Sequence, residues 1–392
     1  MQRVDVIIAG GGPSGLSTGL HLLQRNPTWK GRVRVLEKAR YPRPKLCGGG
    51  LTWYGEQVLR TLGLDVEEVP NIPLEEIHVY HGGEGVSFHG RPVGRVVRRN
   101  EFDAWLAQKA QARGLEVQSD EAILSVSVQP NEVWLETTQG RYAARALVVA
   151  DGSNSGLRRM LGIEEPVRVA RLIEILTPAH DDASQRLHEE RRALFDLEFT
   201  PKGLQGYFWD FPCLVDGERR INRGIYDARI VGTTPKADLK EMLRASLTAR
   251  GVDVATCKLM GHPIRWFDAK ATVSLPRVLL VGDAAGVDPL MGEGISYALA
   301  YGGVAAGTLE DAFAREDFGF RQYRRTLLKA PLGRSLLKRA FWATALYRFA
   351  SPALIRQVLT SLRLGMQVLP AMRRYAPGST LGPTPGWGLG RG

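Results

Sequence analysis

The chain has 392 residues, 44% of them hydrophobic and 24% charged, more than one ordinary small domain needs and enough for two. No apolar run is long enough to span a bilayer, and three scattered cysteines (Cys47, Cys213, Cys257) form neither a disulfide framework nor a metal cage, so a reducing cytoplasm is expected. The net charge of +11 is concentrated: residues 321–375 carry twelve Lys or Arg and no Asp or Glu, leaving −1 for the rest.

In chain order, residues 4–9 (VDVIIA) read as a buried strand of a parallel sheet. Gly10, Gly11 and Gly12 follow at once in place of a cleavage site, so no signal peptide is expected. The next segment is a helix with Leu16, Leu20 and Leu23 on one face, and residues 33–37 form the following strand. Residues 71–94 and 165–270 show period-two alternation, with strands at 193–199, 206–211 and 221–226. They are expected to form an antiparallel-sheet substrate domain.

Two further apolar strands end in glycine-containing turns: 146–150 before Asp151-Gly152, and 278–281 before Gly282-Asp283. Parallel sheets carry their ligand loops at the carboxyl ends of their strands. These ends predict one discontinuous nucleotide-binding domain from residues 1–70, 95–164 and 271–325. Residues 326–375 read as a basic helical segment, and 376–392, rich in Gly and Pro, as a disordered tail. The fold class expected is α/β: a Rossmann-like domain with an inserted antiparallel sheet and a helical C-terminal segment.

Gly10-x-Gly12-x-x-Gly15 follows a strand and opens a helix. Gly10 suits the tight turn, Gly12 the close approach of a pyrophosphate, and Gly15 helix–strand contact. The helix N-terminus offers free N–H groups to phosphates. Glu37, at the end of the second strand, can accept hydrogen bonds from adenosine ribose hydroxyls. Pro13, Ser14 and Lys38 flank these positions and belong to the candidate cofactor site. The run 278–293 (VLLVGDAAGVDPLMGE) places Asp283 where it can bind a ribitol chain. Gly292, Gly294 and Ile295 then start another helix, whose amides suit negative charge at the N1/C2=O edge of a flavin.

These segments resemble the FAD-dependent oxidoreductases with the para-hydroxybenzoate hydroxylase fold. The family's GxGxxG, DG and GD motifs occur here in order as Gly10/Gly12/Gly15, Asp151-Gly152 and Gly282-Asp283. The resemblance covers about residues 1–325 and implies FAD as the cofactor. Residues 99–103 (RNEFD) resemble the segment whose Arg contacts FAD, which gives that role to Arg99; a helix cap is its structural alternative. Asp151 is implied to lie near FAD and the route of a nicotinamide donor, or else it caps the following helix. There is no second GxGxxG, so NAD(P)H would bind transiently or another electron donor serves.

Within that superfamily, residues 43–50 (RPKLCGGG) resemble the Cys-Gly-Gly segment of geranylgeranyl reductases, and residues 207–212 (YFWDFP) their YxWxFP motif. Alternation puts Tyr207, Trp209 and Phe211 on one face, an apolar wall suited to a hydrocarbon beside the flavin, or else a plain sheet core; Pro212 closes the motif. Gly48, Gly49 and Gly50 let backbone pass close to a flat ring. Cys47 then falls near the flavin as a proton donor, a substrate-positioning group or a redox switch, or is a small buried hydrophobe. The resemblance implies reduction of an isoprenoid carbon–carbon double bond, with hydride from the flavin.

The C-terminal stretches 336–342 and 355–364 mix apolar and basic residues. They read as amphipathic helices on an anionic bilayer at the cytoplasmic face, or as a solvated face. No nucleic-acid motif accompanies the charge, so nucleic acid is not an expected partner. His78 and His81 read as strand or loop residues, and no metal is expected. Because one fold hosts several chemistries, a flavin monooxygenase stays open, as do a halogenase and a non-catalytic flavoprotein. Oligomeric state is undetermined.

Overall fold

Val6, Ile7 and Ile8 have no exposed surface, so the first strand is apolar on both sides because both sides are covered. The computed structural model describes residues 1–165, 168–232, 235–253 and 258–368. Cys257 and the tail expected at 376–392 lie outside the described residues.

The chain opens with β1 (Gln2–Ala9), α1 (Pro13–Arg25), β2 (Val33–Leu36), β3 (Gly50–Thr52) and α2 (Trp53–Thr61). A long hairpin, β4 (Asn71–His81) and β5 (Glu84–Val97), leads to α3 (Arg99–Ala112). Then come β6 (Glu116–Gln118), β7 (Ile123–Val128), β8 (Val133–Thr137), β9 (Arg141–Val149) and α4 (Gly156–Met160). The middle of the chain supplies β10 (Val169–Pro178), α5 (Asp182–Glu189), β11 (Arg192–Asp196), β12 (Gly206–Val215), β13 (Glu218–Asp227), α6 (Leu239–Ala249) and β14 (Met260–Arg265). The last elements are β15 (Ser274–Leu275), β16 (Val278–Leu280), α7 (Ile295–Arg315), α8 (Tyr323–Lys329), α9 (Pro331–Phe349) and α10 (Pro352–Val368).

The first sheet runs β15-β16-β9-β1-β2-β6, with the β7–β8 hairpin joined to β9. β1 pairs in parallel with β9 and β2, and β16 with β9. Ala9 stands opposite Leu36 and Val149, and Val149 opposite Leu280. Four strands therefore end level, and their loops share one edge of the sheet. α1 and α7 pack together beside it, joined where Ser17 Oγ donates to the Leu299 carbonyl at 2.7 Å.

The second sheet runs β14-β10-β13-β12-β11-β4-β5-β3. Its described pairs are antiparallel except β11 with β4, which is parallel. β11 stops at Asp196, three residues before the expected end, where the Asp196 carboxylate accepts from the Glu198 N–H and a short turn follows at Thr200–Lys202. The expected boundary at residue 94 falls inside β5, which continues to Val97, and β3 adds an edge strand from a segment assigned to the other domain. His78 and His81 both lie on β4.

The C-terminal helices are partly built into the body. Leu327, Leu332 and Leu336 enter the core around the first sheet, and Ala343 and Tyr347 enter that of the second. Ile355 and Leu359 of α10 pack on Val86, beside Val79 and Phe88. Phe341, Trp342 and Phe349 are each more than 60% exposed. Among the described residues no helix is long and apolar enough to cross a membrane.

Candidate active site

The level strand ends open on a cavity of about 1070 Å³ that reaches from the first sheet to the face of the second. Gly10, Gly12, Pro13, Ser14, Glu37 and Lys38 line one end, together with Arg99, Asp151, Gly152 and Asp283. Cys47, Gly48 and Gly49 lie in the wall, as do Gly292, Gly294 and Ile295. Tyr207, Trp209 and Phe211 line the other end, among Leu74, Ile77 and Phe195. Three expected residues do not line it. Gly15 is packed under the Gly10 carbonyl, Gly282 beside Ser14, and Pro212 sits one residue beyond the aromatic wall.

Charge is organised at the glycine end. Glu37 accepts from the Gly11 N–H at 2.9 Å and the Ala39 N–H at 3.1 Å, and pairs with Arg43 at 3.3 Å. Asp103, without exposed surface, holds Arg99 through two hydrogen bonds of 2.7 and 2.8 Å and Arg43 at 3.1 Å. Arg99 is the first residue of α3, but its side chain turns into this network. One Asp151 oxygen accepts from the Leu157 N–H at 3.1 Å, while the N-cap of α4 is Ser155. The other Asp151 oxygen is buried without a partner, and burial raises the carboxyl pKa.

The space at this end fits a dinucleotide. A Cβ at Gly12 would meet only the ends of the Arg43 and Arg99 guanidinium groups, at 3.7 and 3.8 Å, and one at Gly152 would meet nothing within 4 Å. An open glycine cradle faced by two cations suits an anionic diphosphate. Arg43 Nε and Asp151 Oδ1 are buried polar atoms that a polar ligand can satisfy.

The two distant motifs meet. A Cβ on Gly48 would lie 3.3 Å from the Trp209 indole nitrogen and 3.4 Å from the Phe211 ring. Glu174 accepts from the Cys47 N–H at 3.1 Å, while Asn222 donates to the Cys47 carbonyl at 3.3 Å and accepts from Trp209 Nε1 at 2.8 Å. Trp209 lies flat across β13 because its partner there is Gly224, whose missing side chain leaves room for the ring. The Cys47 Sγ accepts from the Gly49 N–H at 3.4 Å, and burial pushes the thiol pKa up, so it holds its proton at neutral pH. Sequence reasoning missed Glu174 and Asn222, because neither lies in a motif.

Lys45 donates to His262 across the wall. Burial and the Lys45 charge lower the His262 pKa to about 4, against an ordinary 6.5. Folding thus favours the neutral ring. Its contribution is full above pH 6.5 and is lost as pH falls towards 4. Between pH 7 and 5 this one group is expected to remove about 2 kcal/mol from the stability of the apoprotein. Denaturant unfolding of His262→Gln should show a correspondingly flatter dependence; an unchanged slope would reject the assignment.

A parallel sheet with level glycine loops, an open diphosphate cradle and an adjoining apolar cavity is the build of a flavin-dependent oxidoreductase. Residues 3–300 match the family model described as FAD binding domain. The chain belongs to that family, and FAD is its cofactor. It is 30% identical to a menaquinone reductase of Mycobacterium tuberculosis, over 79% of this chain and 77% of that one. It is 28% identical to digeranylgeranylglycerophospholipid reductase 2 of Methanopyrus kandleri, over 81% and 79%. The solved geranylgeranyl bacteriochlorophyll reductase-like protein of Thermoplasma acidophilum superposes with a TM-score of 0.77 at 22% identity, covering 93% of this chain and 92% of that one. The p-nitrophenol 4-monooxygenase PnpA of Pseudomonas putida superposes at 0.70 with 17% identity over 96% and 97%, so the fold is shared across chemistries.

Proposed function

We propose that this protein reduces carbon–carbon double bonds in an isoprenoid chain and works at the surface of an anionic membrane. The observation that carries the reading is the apolar arm of the cavity, walled by Tyr207, Trp209 and Phe211, which meets the cofactor end at Cys47–Gly49. The relatives named for menaquinone and for digeranylgeranyl lipids support a substrate with a long apolar chain.

Bound FAD supplies the redox chemistry. The chain's own residues do the rest. Gly12, Pro13 and Ser14, with Arg99, hold the diphosphate; Glu37 and Lys38 serve the adenosine end, and Asp283 with segment 292–295 the ring end. Tyr207, Trp209 and Phe211 orient the hydrocarbon and exclude water. Cys47 keeps a protonated thiol at the junction, placed to pass a proton to the substrate carbon. A nicotinamide or other donor visits only transiently.

The test is anaerobic incubation of the dithionite-reduced protein with geranylgeranyl-bearing lipids, followed by mass spectrometry. The expected product has gained two hydrogens per bond and no oxygen. Product formed only in air, with oxygen incorporated, would overturn the reductase reading in favour of a monooxygenase.

Phe341, Trp342 and Phe349 stand on α9 among Arg334, Lys338 and Arg348, a composition that favours an anionic lipid surface. Replacing Phe341 and Trp342 together by Ser is expected to weaken sedimentation with phosphatidylglycerol vesicles at least tenfold. Equal binding by both proteins would remove the membrane half of the proposal.

A further inference from the structure

Segment 288–294 faces the cofactor end of the cavity, with Gly292 and Gly294 in its wall. Its backbone is held from behind by side chains. Asp288, without exposed surface, accepts from the N–H groups of Leu290 at 2.8 Å and Met291 at 3.1 Å. Three tyrosine hydroxyls take three successive carbonyls: Tyr226 that of Pro289 at 3.2 Å, Tyr347 that of Leu290 at 2.8 Å, and Tyr207 that of Met291. Arg339 binds Asp288 at 2.7 Å and Glu293 at 3.2 Å. Tyr347 and Arg339 come from α9, far outside the nucleotide-binding motifs.

We infer that Arg339 and Tyr347 of α9 are positioning residues for the flavin-facing segment, so that the basic C-terminal helix is part of the cofactor site. A trans peptide is planar, with its C=O and N–H pointing opposite ways. Holding the Leu290 and Met291 carbonyls towards the tyrosines therefore turns the next N–H groups, those of Met291 and Gly292, away from them. Met291 N–H goes to Asp288, and Gly292 stands in the cavity wall. Arg339 is the cation that makes a buried Asp288 and Glu293 tolerable together; removing one partner of a buried pair leaves uncompensated charge. That charge would sit beside the isoalloxazine and disfavour its uptake of electrons. The inference rests on FAD binding and not on the isoprenoid reading, so turnover is not its readout.

The test uses the full-length holoprotein and its apo form. Arg339→Met is expected to raise the FAD dissociation constant at least tenfold and to move the flavin midpoint potential to more negative values, with Arg339→Lys restoring most of the potential. Tyr347→Phe should weaken FAD severalfold and leave the potential near that of the parent. Thr344→Ala, on the exposed side of α9, should change neither. Unchanged FAD affinity and potential in Arg339→Met would overturn the inference. If Arg339→Met does not fold, Tyr347→Phe decides: FAD affinity indistinguishable from the parent would overturn the inference, and weakened FAD would support it.

Discussion

Gly49→Ala is expected to yield a protein that no longer retains FAD. Gly49 has φ +83°, and a Cβ there would collide with the Val97 carbonyl oxygen. The left-handed conformation alone costs an alanine about 1–2 kcal/mol, and overpacking against backbone about 1–3 more. The Gly49 carbonyl accepts from the Val97 N–H at 2.9 Å, so the turn cannot relax without tearing β3 from β5. The collision would expel Cys47 and Gly48 from the wall that joins the two arms. We expect bound flavin, read from absorbance near 450 nm after gel filtration, to fall at least tenfold, with a melting temperature several degrees lower. A fully flavinated Gly49→Ala protein would show that this turn does not shape the site.

Asn222→Leu is expected to have the largest effect on turnover with the smallest on FAD. Asn222 has no exposed surface, and it ties the Trp209 indole to the Cys47 carbonyl. Leucine matches its size and leaves two buried groups unpaired, at about 1–3 kcal/mol each. The ring and the loop would then drift independently. A misplacement of about 1 Å at a reacting centre costs on the order of 10²-fold in rate. Stopped-flow oxidation of the reduced protein by substrate should slow by about that factor, with FAD affinity within a few-fold of the parent. Equal losses in both would place Asn222 in general support of the fold, not in alignment of the substrate wall.

The part of this site written in the sequence is the part made by short local segments. A nucleotide loop needs its glycines at fixed offsets after a strand, so Gly10 and Gly12, Asp151-Gly152 and Gly282-Asp283 can be read without a fold. Period two alone put Tyr207, Trp209 and Phe211 on a common face. Asn222 is different: it is one of several polar residues along β13, and its meaning depends on the β12–β13 register that sets Phe211 opposite it. Glu174 depends on a loop 127 residues away. The parallel β11–β4 pair was hidden because alternation does not encode strand direction. Arg339 was read with the basic surface, since Lys338, Phe341 and Trp342 beside it are exposed; its side chain instead turns inward to Asp288. The spacing Leu336, Arg339, Ala343, Tyr347 is the inner stripe of a helix, and could have found both polar members.

The level ends of β1, β9 and β16 bear on the order in which the protein is made. A growing chain contains the glycine-rich turn from its first dozen residues, but the neighbouring strand ends arrive only at Val149 and Leu280, and the α9 supports some sixty residues after that. Ligand-linked stability grows with occupancy of a formed site. The level strand ends therefore cannot gather around FAD until Leu280 has been made.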